Sequence, residues 1–262
     1  LSVNKITVIF LAVLAAVLLG SCTSHRQLVY LKDVDSSSGG GSFYPKSRPE
    51  YQIQTRDVLY VKIYSLNEEM SNLINQTMGA NQQNLYQNET SLFINGYVVS
   101  DSGNIQLPIL GSIKVAGKTL DEALESIEQR TSQYLKDATV TLKLISFKIS
   151  VIGEVNRPGT YYNYNSQLTV LEAVSMAGDI TDYGNRHRVH VLRSGSTGTT
   201  SFQLDLTNKR ILTTDGFFLL PNDVIYVEPI KSKIFHINLP TISLFLTSVS
   251  TLILVLNYIN HN

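Results

Sequence analysis

Cys22 is the only thiol in 262 residues, and it is the one side chain whose position suggests covalent chemistry. A lone cysteine closes no intramolecular disulfide and excludes cysteine-based zinc or iron–sulfur sites. It ends the run Leu19-Gly20-Ser21-Cys22, directly after a long apolar stretch. The five histidines are scattered. His187 and His190 are three apart in a stretch that reads as a strand, so they face opposite ways and share no metal. No carboxylate pair and no nucleophile–base set falls at a catalytic spacing. Neither an enzyme, a metal nor a cofactor is expected. Two sets of side chains offer non-covalent chemistry instead. Tyr161, Tyr162 and Tyr164 either stack on sugar rings or decorate a half-buried strand, the second being the stronger reading. Ser243, Thr247, Ser250, Thr251 and Asn257 lie within an apolar segment and can trade hydrogen bonds with water or a polyhydroxyl chain.

The surroundings of Cys22 read as an address. In "VNKITVIFLAVLAAVLLGSC", Lys5 gives a short basic start and an apolar run follows, the pattern of a bacterial signal peptide over residues 1–21. The end of the run resembles a lipobox, which implies cleavage between Ser21 and Cys22 and acylation of Cys22. Each buried methylene contributes about 0.8 kcal/mol, so two or three acyl chains hold a protein firmly at a lipid surface. Thr23 follows the cysteine where an aspartate would favour inner-membrane retention in enteric bacteria, so the outer membrane is expected. Residues 22–46 then include "DSSSGGGS", a flexible tether. Lys and Arg total 21, as do Asp and Glu, so bulk charge draws the chain to no nucleic acid.

The elements beyond the tether are short. "DVLYVKIYS" has the β-branched and aromatic content of a strand. The Asn- and Gln-rich residues 67–91 read as an insertion or long loop. "LFINGYVVSDSGNIQLPILGSIKVAG" carries two turn signals and predicts a β-meander. Thr119 and Glu122 form a capping box before a helical pattern, and Thr169 and Glu172 form another. Pro158-Gly159 suits a type II turn, and Gly178 stands where the second helix ends. Further strands are expected in "RVHVLRS", "SFQLDL" and "FFLLPNDVIYVEP". The fold class is α+β, with two small β-rich units, the second β-grasp-like, and a C-terminal transmembrane amphipathic helix.

Arg56-Asp57, Gly103 to Gly111 and Gly117-Lys118-Thr119 to Ala123 together resemble the polysaccharide export domain of outer-membrane capsule and exopolysaccharide export lipoproteins. Gly153, Val155, Pro158, Gly159 and Ala177-Gly178 resemble that family's SLBB domain. The resemblance spans nearly the whole mature chain and assigns residues 47–147 to the export domain and 148–230 to one SLBB copy. Within it Asp57, Gly103, Gly111, Pro158, Gly159 and Gly178 are turn-forming positions. Two departures stand out: Arg56 and Asp179 occupy positions where the family pattern has glycine.

Residues 231–262 complete the chain. A helix over residues 239–259 would span roughly 31 Å, a bilayer core's thickness. Ile242, Phe245, Leu246, Val249, Leu252, Ile253 and Leu256 fill one apolar arc, and the hydroxyl residues named above cluster opposite. On the helix alone, the hydroxyls read as groups bonding back to their own helix or packing on a neighbour. The resemblance implies a second reading, in which copies of the helix join in an octamer-like ring, with the apolar arc facing membrane lipid and the hydroxyls lining a pore. It further implies export of capsular or exopolysaccharide from periplasm to surface in a Gram-negative bacterium. The body would stand in the periplasm and meet an inner-membrane polysaccharide copolymerase. The alternative is a membrane-tethered β-grasp module that binds a ligand or glycan and forms no pore.

Overall fold

Apolar side chains recur along residues 58–64, and burial follows them: Val58, Leu59, Val61 and Ile63 are buried in strand β1 (Val58–Tyr64). The computed structural model describes residues 29–32, 43–44, 49–75, 96–195 and 198–261. The signal peptide, Ser21, Cys22 and residues 76–91 of the expected insertion lie outside the described residues.

In the first unit β1 is the middle of a three-stranded antiparallel sheet. It pairs with β5 (Thr139–Leu144), Leu59 opposite Leu144, and with β2 (Tyr97–Val98), Leu59 opposite Tyr97. The expected meander therefore does not form as such. β3 (Asn104–Leu107) and β4 (Gly111–Lys114) make a separate hairpin, while β2 goes to β1. The reason lies next to β2: Arg56 N–H donates to Val99 O, and Val99 N–H donates to Asp57 O, each at 2.8 Å.

The reading of residues 67–91 as a loop is corrected at its start, where Glu68–Asn75 form helix α1. Ile74 is buried, and the Asn75 side chain donates to Ile63 O at 2.6 Å and accepts from Ile63 N–H at 3.0 Å. That amide acts as one more strand residue and closes an edge that would otherwise invite pairing. Helix α2 (Leu120–Thr131) carries the Thr119–Glu122 capping box and packs Ala123 and Ile127 into the core.

The second unit is a mixed five-stranded sheet with one helix. β6 (Lys148–Gly153), β7 (Gly159–Tyr162), β8 (Gly184–Ser194), β9 (Thr199–Leu204) and β10 (Val224–Pro229) lie in the order β7-β6-β10-β8-β9. Only β10 and β6 are parallel, with Val224 opposite Ser150. Helix α3 (Val170–Met176) has the second capping box and covers the sheet with Val170, Ala173 and Val174. Two expectations are corrected here. Residues 217–221 are not strand, because Asn222 turns the chain with φ +68° just before β10 begins. Nor does Pro158-Gly159 form a type II turn: Gly159 lacks the left-handed φ such a turn needs, and it opens β7 opposite Val151. Leu144 packs against both cores, and Ile145 N–H donates to Val58 O at 2.9 Å, so residues 144–147 join the units closely.

The C-terminal helix α4 (Lys231–His261) forms, but the expectation that it crosses a membrane is corrected. Among the described residues no helix is long and apolar enough to cross a membrane. Pro240 and the hydroxyl side chains interrupt the apolar run, and Lys231 and Lys233 lie in its first turn.

Candidate functional site

Two stretches of sequence build the walls of a cleft about 540 Å³ in volume, set between the two units. The first wall starts at a buried carboxylate. Asp57 accepts hydrogen bonds from Tyr51 Oη at 2.7 Å, from Gln54 N at 2.8 Å and from Ser146 Oγ at 3.2 Å. This network pins residues 49–51 beside the start of α2, so that Glu50, Tyr51 and Asp121 line one side. Burial first, and then the hydrogen bond to Asp57, push the Tyr51 hydroxyl well above its ordinary pKa and keep it neutral.

The second wall is the loop from β7 to α3. Asn163 is buried; its Nδ2 donates to Asn165 O at 2.7 Å and its Oδ1 accepts from Asn165 N at 3.2 Å, an Asx-type hold on the loop. Leu219 N–H donates to Leu168 O at 2.8 Å and fixes the neighbouring segment 218–221. Tyr164, Asn165, Ser166 and Gln167 consequently line the cleft opposite Tyr51, over a floor that includes Phe147. Among the described residues neither His nor Cys lines it, and Lys143 offsets part of the charge of Glu50 and Asp121. Amides, hydroxyls and aromatic faces make this a surface for hydrogen bonding and stacking.

The residues singled out in the sequence fall in several places. Of the three tyrosines only Tyr164 borders the cleft; Tyr161 donates its hydroxyl to Arg157 O, and Tyr162 ends β7. Gly103 (φ +80°) closes the bend between β2 and β3, its N–H donating to Ser100 O at 2.8 Å. Gly111 (φ +79°) opens β4, and Gly178 (φ +74°) follows α3. The histidines separate: His187 Nδ1 pairs with Asp205 at 3.0 Å and His190 Nε2 with Glu228 at 2.8 Å. Burial raises the Asp205 pKa, but hydrogen bonds from His187 and Thr207 outweigh it and hold the carboxyl below its ordinary range.

On α4 the hydroxyls serve their own helix. Ser243 donates to Pro240 O, Thr247 to Ser243 O, Ser250 to Thr247 O and Thr251 to Thr247 O, all between 2.8 and 2.9 Å. Ile242, Phe245, Leu246, Val249 and Leu252 are exposed. The side chains of Ile253, Leu256 and Asn257 lie outside the described residues. The cleft was missed in the sequence; the run "YNYNSQ", an aromatic beside clustered amides, was its available signal.

Comparison with known proteins identifies both units. Residues 45–145 match the family described as polysaccharide biosynthesis/export protein, and residues 147–227 match the SLBB domain. The chain therefore carries a polysaccharide biosynthesis/export domain followed by one SLBB domain. It is 30% identical over 200 residues to the EPS I polysaccharide export outer membrane protein EpsA of Ralstonia nicotianae, covering 74% of this chain and 51% of that one. It is 34% identical over 145 residues to the EpsA protein of Ralstonia solanacearum, covering 53% and 38%. It is 33% identical over 96 residues to the exopolysaccharide production protein ExoF of Rhizobium meliloti, covering 35% and 23%. The chain thus spans about half the length of the first relative and less of the others. In these terms the cleft lies at the junction of the export domain and the SLBB domain.

Proposed function

We propose that this chain takes part in exporting an exopolysaccharide across the outer membrane. It is held there by an acylated Cys22 with its body on the periplasmic side, and copies of it assemble into a ring. The observation that carries the reading is the consecutive occurrence of an export domain and an SLBB domain in one chain, together with relatives named for polysaccharide export. The chemistry is compatible with moving a polymer. Conduction favours many weak contacts over one strong site, and the junction cleft offers amides and hydroxyls with few charges. The polymer would reach the ring from an inner-membrane copolymerase, and no bond is made or broken on the way.

The cleft also favours a second reading, a tethered module that captures a glycan without conducting it. Its exposed Tyr164 beside Asn165, Ser166 and Gln167 would serve as the saccharide platform. Subunit number separates the two. Mass photometry and electron-microscope class averages of the lipidated protein extracted in mild detergent should give closed rings with a central hole. A monomer in every detergent, still binding the host's own polysaccharide, would establish the module instead.

A further inference from the structure

Both ends of the described chain are fastened to one short loop, residues 177–184, between α3 and β8. At its start Asp179 holds a left-handed backbone, φ +75°, and its carboxylate accepts from Ile180 N–H at 2.6 Å and from the Tyr30 hydroxyl. The Tyr30 ring lies 5.3 Å from the guanidinium of Arg186, a side chain only 6% exposed whose Nη2 donates to Ile180 O at 3.0 Å. Two backbone bonds extend the contact: Leu31 N–H to Leu206 O at 3.1 Å and Lys32 N–H to Thr207 O at 2.9 Å. At the other end of the loop Ile230 N–H donates to Tyr183 O at 2.8 Å, just before α4. Lys233, in the first turn of α4, pairs with Glu154, which also accepts from Thr181 Oγ1 at 3.1 Å.

We propose that residues 30–32 form a clip that sets where the lipid-bearing end leaves the body, and that the loop 177–184 is the membrane-facing pole of the SLBB domain, seated on the lipid surface. The proposal rests on acylation of Cys22. Chain length makes the argument quantitative. Cys22 precedes Tyr30 by eight residues, so at about 3.5 Å per residue the acylated end lies within roughly 28 Å of the clip. Without the clip the next hold among the described residues is the Tyr51 hydroxyl on Asp57. The tether would then be 29 residues with a reach of roughly 100 Å, and the body could face the membrane in any direction. A second observation points the same way: α4 leaves from this loop, and its Leu244, Phe245, Leu246 and Leu252 are each more than 60% exposed. A lipid surface beneath the pole covers such side chains without the helix having to cross it. The backbone supplies a third. A left-handed conformation is strained for a non-glycine residue, and at Asp179 the side chain that incurs the strain is the one that holds Tyr30.

The test uses the full-length protein as the cell processes it, reconstituted in phosphatidylethanolamine–phosphatidylglycerol vesicles. Intact mass first reports whether Cys22 is acylated; acylation leaves an introduced cysteine as the sole free thiol. A fluorophore on Asp182→Cys should lose most of its emission to headgroup-nitroxide lipids, and one on Asp137→Cys, in the export domain, should stay bright. Asp179→Ala should narrow that difference, and in it and in Tyr30→Phe the Leu31 and Lys32 amides should exchange about tenfold faster. Tyr30→Phe removes only a hydroxyl, which separates loss of the clip from misfolding. Equal quenching at the two sites, or more at Asp137→Cys, overturns the pole. Unchanged exchange in both variants overturns the clip. A mass without acyl chains overturns the pole and the acylation reading together, and amide exchange then still judges the clip.

Discussion

Arg56 in the export domain and Asp179 in the SLBB domain share a left-handed backbone, φ +72° and +75°, but little else. The Arg56 guanidinium is 83% exposed, and its ion-pair partner Asp101 is 84% exposed at 3.5 Å. Such a pair contributes close to nothing in water. Asp179 instead accepts two hydrogen bonds and ties the N-terminal segment to the fold. The ion pairs of the two domains differ in the same way. Arg193 and Asp223 meet at 2.8 Å with side chains 17% and 1% exposed, and Arg193 also donates to Phe218 O. At these left-handed and ion-paired positions the export domain's charges are loosely held, whereas the SLBB domain places strain and a buried ion pair where other segments attach. The export domain's own buried carboxylate, Asp57, is held by hydrogen bonds alone.

That contrast is most easily broken at the ion pairs. Asp223→Ala leaves Arg193 buried without its partner and should cost about 4 kcal/mol in chemical denaturation. Asp101→Ala should change stability by less than ~0.5 kcal/mol, and similar losses from both would erase the distinction.

Next in size are two glycines. A Cβ on Gly153 (φ +91°) would sit 2.2 Å from Val227 O, in the parallel β6–β10 pair, whereas one on Gly117 (φ +82°) meets nothing within 4 Å. Gly153→Ala should cost about 3 kcal/mol, strain and overpacking together, and Gly117→Ala about 1 kcal/mol from the backbone alone.

Arg56→Gly should stabilise the protein by about 0.5–1 kcal/mol, because it removes the left-handed strain and loses only an exposed pair. Asp179→Gly should gain nothing net, since the relief is offset by the lost hydrogen bonds. A clear stabilisation at both positions would mean that Asp179 has no task.

The smallest effect is with pH. The folded Asp205 carboxyl titrates below its ordinary value, so its contribution to stability is present above about pH 3.9 and lost as the pH falls through the lower folded value. Asp205→Asn should flatten the acid limb of the stability profile there and leave the neutral region unchanged.

Local signals were readable in the sequence where the chain satisfies itself locally. Both capping boxes form, because Thr119 with Glu122 and Thr169 with Glu172 need no distant partner. Helix α1 was hidden, since its Asn75 has meaning only against Ile63 of β1. The β2–β1 pairing that replaces the expected meander was hidden for the same reason. The parallel β6–β10 pair joins residues more than seventy positions apart, and no periodicity reports it. At the C-terminus the hydroxyls were visible, but their bonds to the preceding turn and the helix's insufficiency as a membrane span were not. The cleft escaped notice because the two domains' packing brings its segments together, and the clip because the N-terminal segment meets the SLBB domain far along the chain. "QLVYLKDV" gives no sign that Tyr30 reaches Asp179 across 149 positions.

Participation in export requires that surface polymer depend on this protein. Deleting its gene in the producing bacterium and measuring polysaccharide in cell-surface and periplasmic fractions is the most direct test. Export by this chain predicts loss of surface polymer with material retained behind the outer membrane, and restoration by the native gene but not by Cys22→Ser. Undiminished surface polymer in the deletion strain would contradict it.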